Sequence, residues 1–177
     1  MLSEQSINIL SSLKVKEKIL IFSALTILTV YLPTVIHSQP VTGSLVNMSL
    51  ILAVFLIGPL EAVLLGLMPS VFALASGLLP WVLAPMMPFI MAGNAILVGI
   101  YYYLGRKNFG LAIAAAAFGK FLFLYAMANL LINILPSGRQ ILPLASMMGW
   151  AQFLTAVTGG VLAYIILFFI KKIKNNQ

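Results

Sequence analysis

Hydrophobic and polar positions alternate along this chain in long blocks rather than with a short period. Apolar runs near the ~20 residues that cross a hydrocarbon core are separated by brief polar or proline-rich breaks. Residues 1–12 are polar and mixed, and read as an interfacial or frayed helix. A first span is expected at about 19–36, closed by Pro33 and the polar stretch from His37 to Ser44. The apolar sequence from 45 to 79 is too long for one helix, and Gly58-Pro59-Leu60-Glu61 interrupts it. Proline removes a backbone donor and clashes with the preceding turn, and a carboxylate is costly at mid-bilayer. This break predicts a tight hairpin between spans at about 45–57 and 60–78. An apolar loop with an interfacial Trp81 follows. The fourth span, about 86–104, ends in Tyr101-Tyr102-Tyr103 and then Gly105-Arg106-Lys107-Asn108, an aromatic belt followed by cationic anchors. Spans at about 109–135 and 142–170 flank Pro136-Ser137-Gly138-Arg139-Gln140, a turn by composition.

Charge fixes the expected topology. Lys14, Lys16 and Lys18 precede the first span, Arg106 and Lys107 lie between the fourth and fifth, and Lys171, Lys172 and Lys174 follow the last. Six spans place all three clusters on one side, which the excess of cations in cytoplasmic loops makes the inner one. An odd number would split the terminal clusters. The expected fold is therefore all-α: one integral membrane bundle of six transmembrane helices over 1–177, with both termini cytoplasmic. A multi-pass protein of a prokaryotic plasma membrane is the matching location.

Composition agrees. Of the 177 residues 62% are hydrophobic and 7% charged, with a mean hydropathy of +1.11, whereas soluble domains carry roughly 25% charged residues. The net charge of +7 does not point to nucleic acid, because the cations sit at helix ends rather than on one soluble face. No cysteine is present, which excludes disulfides, thiolate metal sites and cysteine nucleophiles. No small-residue cleavage site closes the first apolar run, so a cleaved signal peptide is not expected.

Small residues recur at helical spacing, as Ala62 with Gly66, Ala112 with Ala116, Ala115 with Gly119 and Ala156 with Gly160. Lipid supplies no hydrophobic drive between helices, and such pairs let backbones approach closely.

A few polar residues interrupt the apolar runs. Lys120 lies eleven residues into the fifth span, about 16 Å deep at ~1.5 Å per residue. A cation there needs a partner or a wet cavity. It either meets an anionic or carbonyl-bearing solute or snorkels to the cytoplasmic face along its aliphatic stem. Asn94 and Gln152 lie at similar depth from the other side, and Asn129 and Asn133 lie nearer that surface. All need partners in lipid, so all are expected to face the bundle interior. Yet Lys120 and Asn129 are half a turn apart on a straight helix and cannot both line one cavity unless the fifth span kinks or unwinds. His37 is the only histidine, and alone it makes a poor metal site. His37-Ser38-Gln39 could overhang an outward cavity, and Asn47 is grouped with His37 and Gln39 as a loop-side residue. Arg139 and Trp150 are further candidates; the tryptophans otherwise anchor the interface. Glu61 reads as a hairpin residue.

Catalytic patterns are missing. There is no Gly-x-Ser-x-Gly, no His-Glu-x-x-His, no paired aspartates and no phosphate-binding loop. The expectation is a non-enzyme without metal or cofactor.

Three stretches carry a family likeness: Ile36-His37-Ser38-Gln39-Pro40-Val41-Thr42-Gly43-Ser44-Leu45-Val46-Asn47, Gly58-Pro59-Leu60-Glu61-Ala62 and Pro85-Met86-Met87-Pro88-Phe89-Ile90-Met91-Ala92-Gly93-Asn94. With the six short spans and a polar first outer loop, the chain resembles the substrate-binding S component of an energy-coupling factor transporter over nearly its whole length. That resemblance implies capture of a vitamin-like micronutrient in an outward cavity. It also implies partnership with a transmembrane T component and two cytoplasmic ATPases, and toppling of the S component during transport. The family often carries Ala-x-x-x-Ala in the first span for T-component contact; Ser23-Ala24-Leu25-Thr26-Ile27-Leu28-Thr29 stands here instead. The start Met-Leu-Ser lacks the Met-His of nickel and cobalt members. The leading expectation is capture of a small organic nutrient by His37, Gln39, Asn47, Asn94, Lys120 and Gln152, with Arg139 and Trp150. The alternatives are a scaffold or assembly bundle, which predicts a filled centre, and a solitary transporter or channel, which predicts a continuous polar path.

Overall fold

The structure is a computed structural model and describes residues 14–36, 38–77, 81–134 and 148–175. All its regular elements are helical, with no strand among the described residues. The first element, α1, spans Val15–Val35. It is α-helical over Val15–Thr26, π-helical over Ile27–Tyr31 and α-helical again over Leu32–Val35. The Lys14 backbone N–H donates to Glu17 Oε2 at 2.8 Å and closes its first turn. Pro33 has no N–H to return to the preceding turn, and the chain widens just before it, so that the Leu32 N–H reaches back to the Ile27 carbonyl. The remaining helices are α2 (Gln39–Leu56), α3 (Pro59–Ala75), α4 (Met87–Leu104, preceded by a 3₁₀ turn at Trp81–Met86), α5 (Phe109–Ile134) and α6 (Trp150–Asn175).

Among the described residues, five elements are long and apolar enough to cross a membrane; α3 is apolar but has 17 residues. The Gly58-Pro59 break is where the sequence placed it. Gly58 takes φ 135°, a conformation that a side chain disfavours, and Pro59 opens α3 where a missing N–H costs no helical bond. A Cβ on Gly58 would lie 2.6 Å from Glu61 Oε2, so the glycine also makes room for a carboxylate over the start of α3.

Two boundaries differ from expectation. Span two begins at Gln39 rather than 45, because Ser38 is extended and Pro40 sits in the first turn. Thr42, Gly43 and Ser44, read as outer loop, are helical and partly covered. Span three ends at Ala75 rather than 78, where Ser76 caps back to the Phe72 carbonyl. The expected start of span six, the 136–140 turn and residues 1–12 lie outside the described residues.

Close contacts define the packing. Phe109 meets Tyr164 at 5.1 Å and Phe121 stacks on Trp150 at 4.9 Å, so α5 and α6 run antiparallel. Gly93 lies against Leu124, while Gly119 lies against Ile96 and Ile100, so α4 and α5 are antiparallel too. Gly43 faces Thr155, while a Cβ on Gly159 would lie 2.6 Å from the Ser44 carbonyl and 2.7 Å from Met48 N, so α2 and α6 are parallel and nearly touch. Direction therefore alternates along the chain, and Lys14–Lys18, Arg106–Lys107 and Lys171–Lys172 gather at one end of the bundle. At that end the core is apolar and filled: Leu50, Ile51, Leu65, Leu97, Ala112 and Ala116 are at most 1% exposed. Large apolar side chains such as Leu111, Phe118, Leu122, Phe168 and Phe169 are exposed, the inverse of a soluble fold and suited to lipid contact.

Candidate functional site

Lys120 is 3% exposed despite its charge. The helical period turns it toward the bundle axis together with Ala116, Ala117 and Leu124. Its Nζ does not snorkel. It donates to Asn47 Oδ1 on α2 at 2.7 Å and to Asn94 Oδ1 on α4 at 2.8 Å. Asn94 passes the network on, its Nδ2 donating to the Gly66 carbonyl on α3 at 2.7 Å. Asn47 Nδ2 donates to Thr155 Oγ1 on α6 at 3.4 Å, and the Thr155 hydroxyl donates to the Gln152 carbonyl at 3.1 Å. One buried network thus ties α2, α3, α4, α5 and α6 around a single ammonium.

Gly66 makes the approach feasible, since a Cβ there would lie 3.1 Å from Asn94 Cβ and 3.4 Å from Leu50 Cδ2. The Ala62–Gly66 pair therefore does more than bring helices together. It exposes a carbonyl to the Asn94 amide.

The ammonium forms one wall of a cavity of about 180 Å³. Every helix contributes. Thr29, Val30 and Thr34 come from the widened part of α1, and Gln39 and Thr42 from the start of α2. Ser70 comes from α3 beside Pro69, Asn94 from α4, and Gln152 from α6. The cavity lies toward the end of the bundle opposite the cationic clusters, where α1 joins α2 and α3 approaches α4. Its volume is slightly above the roughly 150 Å³ that accommodates a benzene ring, and below drug-sized pockets. The chemistry is asymmetric. Lys120 carries three donors as an ammonium; two go to neutral amide oxygens, and no further acceptor meets it among the described residues. The chain has three carboxylates, Glu4, Glu17 and Glu61. Glu17 and Glu61 begin α1 and α3, at the cationic end, and Glu4 lies outside the described residues.

Of the residues singled out from sequence, Gln39, Asn94, Lys120 and Gln152 line this cavity, and Asn47 supports Lys120 from behind. Trp150 does not line it: it is 66% exposed and stacked on Phe121. His37 and Arg139 lie outside the described residues. Asn129 and Asn133 do not face the interior; both are exposed. The helical phase that buries Lys120 carries Asn129 to the opposite face, where its Nδ2 is satisfied by the Tyr125 carbonyl at 2.7 Å. Sequence reasoning missed Thr29, Thr34, Thr42 and Ser70. Only Ser70 had a local signal, its position after a mid-helix proline. No cluster of His, Cys, Asp or Glu suited to a metal occurs among the described residues.

The fold and its apolar exterior define a multi-pass helical membrane protein. No protein family, curated protein or solved structure matches the chain at a significant level.

Proposed function

We propose that this protein is the substrate-capture subunit of a membrane importer, of the S-component kind, binding a small organic anion in the cavity beside Lys120. One observation carries the reading: a buried lysine, whose only hydrogen-bond partners among the described residues are two neutral amide oxygens, forms the wall of a cavity. An uncompensated cation in a membrane interior is costly, and a carboxylate at the third donor would offset that cost through a charge-assisted hydrogen bond. The polar rim suits a solute arriving from the aqueous phase. The packed apolar end beyond Lys120, formed by Leu50, Leu65, Leu97 and Ala116, argues against a simple channel. Such a subunit would hold its solute without an energy source of its own, which suits a partnership with a transmembrane T component and two cytoplasmic ATPases. In this reading α3 also crosses the membrane and brings the spans to six, the cationic end is cytoplasmic, and the membrane is a prokaryotic plasma membrane.

Purified protein examined by native mass spectrometry should release a small acidic molecule, and Lys120→Ala should lose it while remaining folded. A scaffold reading has its own support, since the network tying five helices is also a cross-brace. That reading predicts the reverse: Lys120→Ala lowers thermal stability, and no small molecule accompanies the native protein.

A further inference from the structure

Most hydroxyl side chains in or beside these helices have the habit of donating to a carbonyl of the preceding turn; Thr34, Thr42 and Thr155 use the one three residues earlier. Thr26, Thr29, Ser44, Ser76 and Thr158 each donate to the carbonyl four residues earlier, the local bond that satisfies a hydroxyl in a helix. Ser70 breaks the habit. It is 5% exposed, and its Oγ has no partner. Its customary acceptor is the Gly66 carbonyl. That oxygen receives the Asn94 amide in addition to its own helical bond, which fills its two lone pairs. The Lys120 network therefore competes with the Ser70 hydroxyl for one of its local acceptors. Ser70 also lines the same cavity as Lys120. Ser49 Oγ is likewise without a partner, but it does not line the cavity.

We propose that the Ser70 hydroxyl is the second recognition point of the cavity. The ligand class is then a compact organic anion bearing a neutral polar group, a hydroxyl, carbonyl or amide, in addition to its charge. The inference rests on the capture reading above and narrows it. Ser70 lies one helical turn, about 6 Å, from Gly66 toward the Ala75 end of α3. Gly66 is itself bonded to the Asn94 side chain that holds Lys120. Both recognition points line one cavity of about 180 Å³, so a single compact solute can meet both. An unsubstituted acid would leave the hydroxyl unpaired, whereas a substituted one would satisfy it. Sites of that kind discriminate against analogues that lack the group.

The test is a set of matched acids offered to the full-length protein in nanodiscs: benzoate against its three hydroxybenzoate isomers, and butyrate against its hydroxybutyrates. Binding is followed by calorimetry. The parent protein should bind at least one hydroxylated acid roughly tenfold more tightly than its unsubstituted partner. Ser70→Ala should erase that preference, leave the unsubstituted acid within about twofold, and show an unliganded Tm equal to or above the parent's. Lys120→Met should lose every acid. If the acids bind through Lys120 but the preference is absent, or survives in Ser70→Ala, the role of Ser70 is overturned and capture stands. If no acid binds the parent protein, the anion-capture reading fails and this inference falls with it. Ser70→Thr keeps the hydroxyl and should retain the preference; its loss there together with a lowered Tm would mark Ser70 as a packing residue.

Discussion

The two ends of this bundle are built from similar apolar helices and differ in what separates them. At the cationic end small residues bring helices together: Ala53, Ala62, Ala112 and Ala163 are fully buried, and Leu50, Leu65 and Leu97 close the centre. At the other end prolines and hydroxyl residues hold the helices apart. Pro33 accompanies the π-helical widening of α1, and Pro69 sits beside Ser70 in α3. Lys120 stands at the boundary with Asn47 and Asn94. In a lipid solvent hydrophobicity alone does not decide where a bundle closes. The difference teaches that fine steric choices, small residues at one level and proline or polar groups at another, place a cavity within a uniformly greasy chain.

The sharpest way to break the contrast is to damage the close packing of α2 on α6 at its boundary. Gly159→Ala puts a Cβ within 2.8 Å of Ser44 O, Met48 N and Asn47 Cβ. Two of these atoms are backbone and cannot swing away, so a loss of about 3 kcal/mol is expected, at the upper end for overpacking. Gly99→Ala meets nothing within 4 Å and should match the parent or gain up to ~1 kcal/mol from helix propensity. Steric-trap or denaturant unfolding would compare the two. Equal effects would show that close approach of α2 and α6 is not what holds the bundle beside Lys120.

At the cavity end the largest effect should fall on binding. Lys120→Ala should weaken binding of a hydroxybenzoate or other recognised acid by about 2 kcal/mol, roughly 30-fold, the scale of a charged hydrogen bond. A calorimetric Kd beside a thermal melt separates the readings. If the melt drops and Kd holds, the lysine is a brace. Asn47→Asp asks the same question with the charge left in place. It offers Lys120 Nζ a carboxylate at the position of an acceptor now 2.7 Å away, and the Thr155 hydroxyl can rotate to donate to the new oxygen. Replacing a neutral partner by an ionic one in a buried site is near neutral for stability, yet it removes the unmet positive charge. Anion affinity should fall about tenfold with no loss of Tm. Unchanged affinity would refute the charge argument.

Much of this division was legible in the sequence, though unevenly. Gly58-Pro59 marked the hairpin because both residues act locally, through φ and a missing N–H. The cationic clusters predicted alternating helix directions, and the contacts between α4, α5 and α6 show that alternation. Asn94, Lys120 and Gln152 stood out because polar groups are rare in such runs. What could not be read was tertiary. Gln39–Ser44 looked like a loop, since Pro, Thr, Gly and Ser form turns as readily as they begin helices; only α6, packed against Gly43, decides between the two. Asn47 was assigned to a loop-side rim, whereas its helix turns it inward to Lys120. The burial of Lys120 and the exposure of Asn129 followed from helical phase, but the expectation that every membrane amide faces inward overrode it. A bond to the Tyr125 carbonyl satisfies Asn129 without any neighbouring helix.

The smallest expected effect probes the least legible residue. Ser70 differs from the other unpartnered serine, Ser49, in lining the cavity and in having Asn94 on the carbonyl four residues before it, a consequence of α4 docking on Gly66. Without a ligand, its buried hydroxyl lacks a partner, and removing such a group relieves a desolvation penalty. Ser70→Ala should therefore raise the stability of the unliganded protein by up to ~1 kcal/mol, the lower end of that penalty. In the double variant with Asn94→Ala the Gly66 carbonyl is released, the Ser70 hydroxyl regains its acceptor, and the gain from Ser70→Ala should vanish. A double-mutant cycle measured by thermal melts tests this coupling. Additive effects would mean that the hydroxyl is satisfied elsewhere, and the open end would then lose the feature that most distinguishes it from the packed one.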